Sequence, residues 1–435
     1  MMANFITFLP IVLVFVLYFS GIPIVYALLG STFFYFAFID TTSPMDLILQ
    51  KVLTSSQSFN LLAIPFFVMA GSIMNYSGIS EKMMDFAEVL TGHMRGGLAQ
   101  VNVLLSMLMG GCSGSANADA AMEAKMLEPQ MEERGYSKAF ATAITAASSA
   151  ATPVIPPGVN LIVYAVLASC SLGRVFAAGY VPGVLMALAL MAAVAFVSKK
   201  RNYQPSREKR ATAREIGRQA VVSFWGLFFP FGIILGMRAG MFTPSEGGAI
   251  AVLYAVVIGK FVYKKLNLKR DFLPIMKESI AGSAAVVMIM VSASVFGYYL
   301  TWVGIPQMVT TGLTTMTQNK YVLLLMCNLI LLVMGMFLEG GAALMIIAPL
   351  LVPVVTAMGI DPVHFGMICI VNIMLGGLTP PFGSMMFTTC GITGCKIGDF
   401  VHECWIFMFA LFIVLLLITF IPALSLVLPN LIYGA

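Results

Sequence analysis

Charge is what this chain lacks most. Of its 435 residues only 10% are Asp, Glu, Lys or Arg, while 60% are hydrophobic. A soluble domain carries about a quarter charged residues, so this composition excludes one. Histidine is nearly absent, with three residues, and the seven cysteines include no Cys-x-x-Cys pair. That excludes a zinc ribbon and a disulfide framework, leaving open only a pairing of Cys390 with Cys395. The amino-terminal MMANFITFLP has none of the basic residues that open a signal peptide, so its apolar stretch reads as a retained span. The net charge of +5 does not point to nucleic acid. The basic residues sit in short loops between apolar runs, where they act as topology signals, and no nucleic-acid partner is expected.

What is there is apolar sequence in membrane-length runs, such as Ile11 to Phe19 and Phe407 to Pro422. The mean hydropathy is +0.95, which marks an all-α polytopic membrane protein whose immediate surroundings are a lipid bilayer. The chain also matches itself weakly. At a shift of 225, Met109-Gly110 falls on Met334-Gly335, and Gly158 and Gly173 fall on Gly383 and Gly398. At a slightly shorter shift Pro10 and Pro23 meet Pro230 and Pro244. These matches predict two repeats, 1–197 and 218–435, joined by a basic cytoplasmic linker at 198–217. Each repeat reads as about five crossings, an odd number, so the second is inverted and both termini lie outside. Placing Lys51, Arg174, Arg238 and Lys320 outside leaves 24 − 4 = 20 of the basic residues inside, in accord with the positive-inside rule.

Within each repeat one segment is too polar to cross plainly. GGCSGSANADAA (Gly110 to Ala121) lies in the 29 residues from 96 to 124, enough to enter and return but short of two spans of about 20. The expectation is a re-entrant helical hairpin over about 96–130, matched by one over about 321–356 around GMFLEGGAA. After each hairpin comes a proline-broken span, over about 137–170 and 362–395, with SSAATPVIPPGVN and LGGLTPPFGSMM at the breaks. Consecutive prolines remove amide donors and unwind the helix, while Ser149, Thr152, Asn160 and the freed carbonyls supply oxygen. Such oxygen-rich backbone suits a hard cation such as Na⁺. The amino termini of half-helices suit an anion.

At these residues the chain resembles the large membrane subunit of a tripartite ATP-independent periplasmic (TRAP) transporter. The resemblance runs through GHMRGGLAQVNVLLSM (Gly92 to Met107), SGSANADAA (Ser113 to Ala121), the Pro-Pro break, FTPSEGGAIAVLYA (Phe242 to Ala255), the run at Pro349 and GIDPVHFG (Gly359 to Gly366). It implies an elevator-type secondary transporter in a bacterial inner membrane, not an enzyme, importing an organic acid by Na⁺ symport. The implied partners are a small four-helix membrane subunit and a periplasmic substrate-binding protein. It assigns substrate contacts to Ser113, Ser115, Asn117, Asp119 and Asn160. Sodium is assigned to Ser149, Thr152, Pro156, Pro157 and Gly158 in the first half, and to Glu339, Gly340, Gly341, Thr379, Pro380 and Gly383 in the second. The detail of TPPFGSMMF leans toward the sialic-acid branch over the C4-dicarboxylate branch. Two rivals stand beside this reading. One is a carrier that works without a binding protein. The other is an intramembrane serine protease, because Gly111-Cys112-Ser113-Gly114 fits Gly-x-Ser-Gly; Ser113 would then need a histidine at its own depth, and none of the three is expected there. Asp119 is balanced between a functional carboxylate at depth and a solvated one on the cytoplasmic arm, Glu339 favours function, and Glu246 favours helix capping. The three histidines read as interfacial, and the basic linker as a solvated loop.

Overall fold

The computed structural model describes the chain except residues 1, 41, 43, 44, 58, 111–113 and 435, with the side chains of 2–7, 59, 60 and 314 also outside the description. Among the described residues every regular element is helical. Among the described residues seven helices are long and apolar enough to cross a membrane, and up to eight spans result if the bent pair Lys138–Val154 and Val159–Leu167, turned by 45°, is counted as one. The protein is a multi-pass membrane protein.

Helix ends fall where the local chemistry stops a helix. Thr243 accepts from the Glu246 amide, and the Glu246 carboxylate accepts from the Thr243 amide at 2.7 Å, so Glu246 is the capping residue its sequence context suggests. Between Lys138–Ser149 and Val159–Leu167 the chain passes through a single short turn, Thr152–Val154, because Pro153, Pro156 and Pro157 cannot donate to a helix. A second break separates Pro362–Gly376 from Ser384–Thr393.

The first polar segment forms two short arms, Gly97–Met109 and Ala116–Met126, of 13 and 11 residues. At about 1.5 Å per residue neither reaches the ~30 Å of a bilayer core. The second differs. Its arms, Lys320–Phe337 and Gly340–Ala357, have 18 residues each, and both pass as spans by length and composition. Gly340–Ala357 runs unbroken through Pro349 and Pro353.

The packing is reciprocal between the halves. Val159–Leu167 packs on Gly340–Ala357, and Ser384–Thr393 packs on Ala116–Met126. Further out, Ala63–Tyr76 packs on Pro244–Val257, and Leu268–Val303 packs on Ile24–Phe34. Small residues permit a close crossing of Lys320–Phe337 with Pro362–Gly376: a Cβ on Gly376 would stand 2.6 Å from the carbonyl carbon of Gly335. Buried polar pairs pin matching places, Asn102 to Thr145 at 2.7 Å in the first half and Asn372 to the Asn328 side chain at 3.0 Å in the second.

The basic linker is more docked than a solvated loop. The helix Leu172–Arg201 carries into it and Ala213–Arg238 begins within it. Between them the amides of Ser206 and Arg207 donate to the Gly92 carbonyl at 2.8 and 3.0 Å, and Tyr203 stacks on Tyr136 with centroids 4.3 Å apart. Glycine permits this approach, since a Cβ on Gly97 would meet the Ser206 nitrogen at 2.3 Å. Cys390 and Cys395 are free thiols, so the pairing left open by the sequence is not formed.

Candidate functional site

Both breaks and both hairpin turns meet at one cavity of about 380 Å³. Its wall includes the first turns of four helices: Ser115 to Ala118, Val159 and Asn160, Gly340 and Gly341, and Ser384 and Met385. A helix amino terminus exposes unpaired N–H groups and carries about half a positive charge. Four ends aimed at one space therefore favour negative charge there. Among the described residues no Lys, Arg or His lines the cavity, while the carboxylates of Glu278 and Glu339 do, so a carboxylate entering it is met by backbone N–H groups and Ser and Asn side chains and depends on an accompanying cation to offset those two acids.

Of the residues singled out from the sequence, Ser115, Asn117, Asn160, Glu339, Gly340 and Gly341 line the cavity. Ser113 lies outside the described residues. Ser115 caps its helix by accepting from the Ala118 amide at 3.5 Å, and Glu339 caps Gly340–Ala357 by accepting from Gly341 at 3.2 Å. Glu339 is thus a capping residue and a cavity carboxylate together. Asp119, Ser149 and Thr152 stand behind the wall and are buried. The Thr152 hydroxyl donates to Asp119 at 2.6 Å, so Asp119 faces the unwound segment and not solvent. Pro156, Pro157 and Gly158 are buried in the first break. The Val159 amide donates to the Gly114 carbonyl at 3.3 Å, joining the first hairpin's tip to that break. Thr379, Pro380 and Gly383 form the second break beside the lining residues Gly377 and Ser384; the Thr379 hydroxyl donates to the Leu375 carbonyl at 2.9 Å.

Sequence reasoning missed the opposite wall. Ser72 and Asn75 on Ala63–Tyr76, and Glu278 on Leu268–Val303, also line the cavity. Ser72 and Tyr76 donate to the two Glu278 carboxylate oxygens at 2.8 and 2.7 Å. A carboxylate inside a membrane-length helix, beside Lys277, was the available signal.

A family model described as "Tripartite ATP-independent periplasmic transporter, DctM component" matches residues 11–424. The chain belongs to this DctM family. It is 38% identical over 418 residues to the sialic acid TRAP transporter large permease protein SiaM of Vibrio cholerae, covering 96% of this chain and 97% of that one. It is 34% identical to the C4-dicarboxylate TRAP transporter large permease protein DctM of Pseudomonas aeruginosa, covering 87% of this chain and 88% of that one. It is also 33% identical to the sialic acid TRAP transporter permease protein SiaT of Haemophilus influenzae, of which it covers 67% and which covers 96% of it. Among solved structures, the YdaH transporter of Alcanivorax borkumensis superposes with a TM-score of 0.61 at 15% identity, over 86% of this chain and 88% of that one. That likeness speaks for the fold alone. The DctM-family chain is accordingly a transporter permease subunit, and nothing supports the protease reading. His93, His364 and His402 are all absent from the cavity wall, and the His364 ring meets Ser425 at 3.3 Å.

Proposed function

We propose that this DctM-family subunit carries an organic acid anion inward across a bacterial inner membrane by Na⁺ symport, as an elevator, together with a small membrane subunit and a periplasmic binding protein. The observation that carries the reading is the convergence of four helix amino termini and two unwound, oxygen-rich segments on one cavity. The helix ends receive the substrate carboxylate. The carbonyls and hydroxyls around Ser149, Thr152 and Pro156 to Gly158, and those of Glu339 to Gly341 and Thr379 to Gly383, would hold Na⁺, which supplies the positive charge that the cavity wall lacks. Closing the tips around cation and anion together couples the two affinities, and that coupling is reciprocal. The reciprocal packing of the halves supports two inverted repeats with both termini outside. In this arrangement the two hairpins and broken helices move as a body against Ala63–Tyr76 and Leu268–Val303. Sialic acid is the favoured substrate, followed by a C4-dicarboxylate, on the strength of the relatives' names.

The test is uptake of labelled sialic acid into proteoliposomes holding this chain and its small partner, with and without the binding protein and a Na⁺ gradient. Uptake that requires both is expected. Uptake unchanged when choline replaces Na⁺ would falsify the coupling, and uptake by this chain alone would establish a stand-alone carrier.

A further inference from the structure

The cavity wall on Leu268–Val303 changes character along its length. Val286 and Ile289 are apolar lining residues, and Glu278 lines the same wall eight residues before Val286, about 12 Å nearer the start of the helix. That start carries Lys269 and Arg270, which on the topology proposed above is the cytoplasmic end. Asn75 and Glu278 are the exposed lining residues of this wall, so its polar end is the mouth, and the mouth opens inward.

Glu278 is held in place there. Ser72 donates to Oε2 at 2.8 Å and Tyr76 to Oε1 at 2.7 Å, which fixes the carboxylate against Ala63–Tyr76. It belongs to none of the ion pairs found among the described residues. Lys277 is exposed and lies about 100° around the helix from it. Glu339, the other cavity carboxylate, differs in what carries it. It caps Gly340–Ala357 at the tip of the second hairpin, so it travels with the moving body and its cation. Glu278 stays with the stationary wall, and it faces the substrate only when the site has come to the inner side.

We propose that Glu278 is a release residue: a fixed negative charge that repels the substrate carboxylate once the site has moved inward, weakening binding on the cytoplasmic side alone. The inference rests on the elevator reading given above. The first half has no counterpart to this acid. At the shift of 225 that matches the halves, Glu278 falls on Leu53, and the stretch about it, Lys51 to Gln57, holds no carboxylate. The loading side is therefore spared a repulsion that the unloading side carries. Like charges sharing a cavity of about 380 Å³ repel enough to weaken binding about tenfold.

The test reads the two sides of the membrane separately. Proteoliposomes hold this chain with its small partner, and the binding protein is added outside only, so the copies that respond are those whose inner face meets the lumen. Uptake of labelled sialic acid, or of labelled succinate where wild type takes that up instead, is measured under a Na⁺ gradient against rising unlabelled substrate in the lumen. Glu278→Gln is expected to lower the luminal concentration that halves uptake about tenfold and to leave the external half-saturating concentration unchanged. Glu278→Asp, which keeps the charge, should restore the wild-type luminal value. Asn75→Asp adds a second charge at the mouth and should raise that value, so it carries the decision if Glu278→Gln does not fold. A luminal value unmoved in every folded variant, or luminal and external values that move together, overturns the release role and leaves the transport reading intact. Wild type that takes up neither acid overturns both.

Discussion

Asp40 ties the turn after Ile24–Phe34 to the far end of the longest helix. It accepts from the Thr42 hydroxyl and from Trp302 Nε1, the latter at 2.9 Å. These hydrogen bonds, Thr42's first, hold its carboxyl below the usual carboxylate range. A depressed folded-state pKa stabilises the protein above the unfolded value and loses that stabilisation as pH falls through the folded one. The clamp should therefore persist at pH 5 and release only in stronger acid. Trp302 emission in a background lacking Trp225 and Trp405 should shift there, and Asp40→Asn should remove the transition. In the cavity, Asn160 offers an amide beside the Gly340 backbone. Replacing it with Ala should raise the half-saturating substrate concentration about tenfold, as expected for a lost hydrogen bond to a charged group of about 1.5–3 kcal/mol, with the maximal rate little changed. An unchanged half-saturation would remove Asn160 from the substrate contacts.

At the scale of the element, the crossing of Lys320–Phe337 with Pro362–Gly376 depends on backbone meeting backbone at Gly335 and Gly376. Gly376→Ala should cost about 1–3 kcal/mol through overpacking, read as a lower melting temperature, and a variant that melts with wild type would show that the helices have room to part. The linker makes a comparable claim: Tyr203→Ala should free it from Tyr136 and speed tryptic cleavage at 207–210. Elements also show which parts the sequence announces. The breaks at 152–158 and 379–383 were legible because lipid cannot satisfy unwound backbone, which forces glycine, proline and hydroxyls to cluster there. Ser72, Asn75 and Glu278 were not, since nothing local sets them apart, Glu278 standing between Lys277 and Ser279, and only the packing of Ala63–Tyr76 against Leu268–Val303 brings them together.

The cavity of the whole molecule has walls from two groups of helices, one made of the hairpins and broken helices and the other of Ala63–Tyr76 and Leu268–Val303. If transport is relative motion of these groups, tying them should stop it without emptying the site. In a cysteine-free background, Ser72→Cys with Ser384→Cys, bridged by a short bifunctional reagent, should abolish uptake while labelled substrate still binds; continued uptake after full bridging would rule out that motion. The linker joins the halves unevenly. Residues 203–207 are fastened to the first half at Gly92, Gly96 and Tyr136, while Ala211 is buried and Thr212 caps the next helix, so the tether between them is only residues 208 to 210. A gene divided within that tether would leave only the Arg207–Glu215 pair across the cut, and the two polypeptides, made separately in one cell, would find each other through that pair and the reciprocal packing.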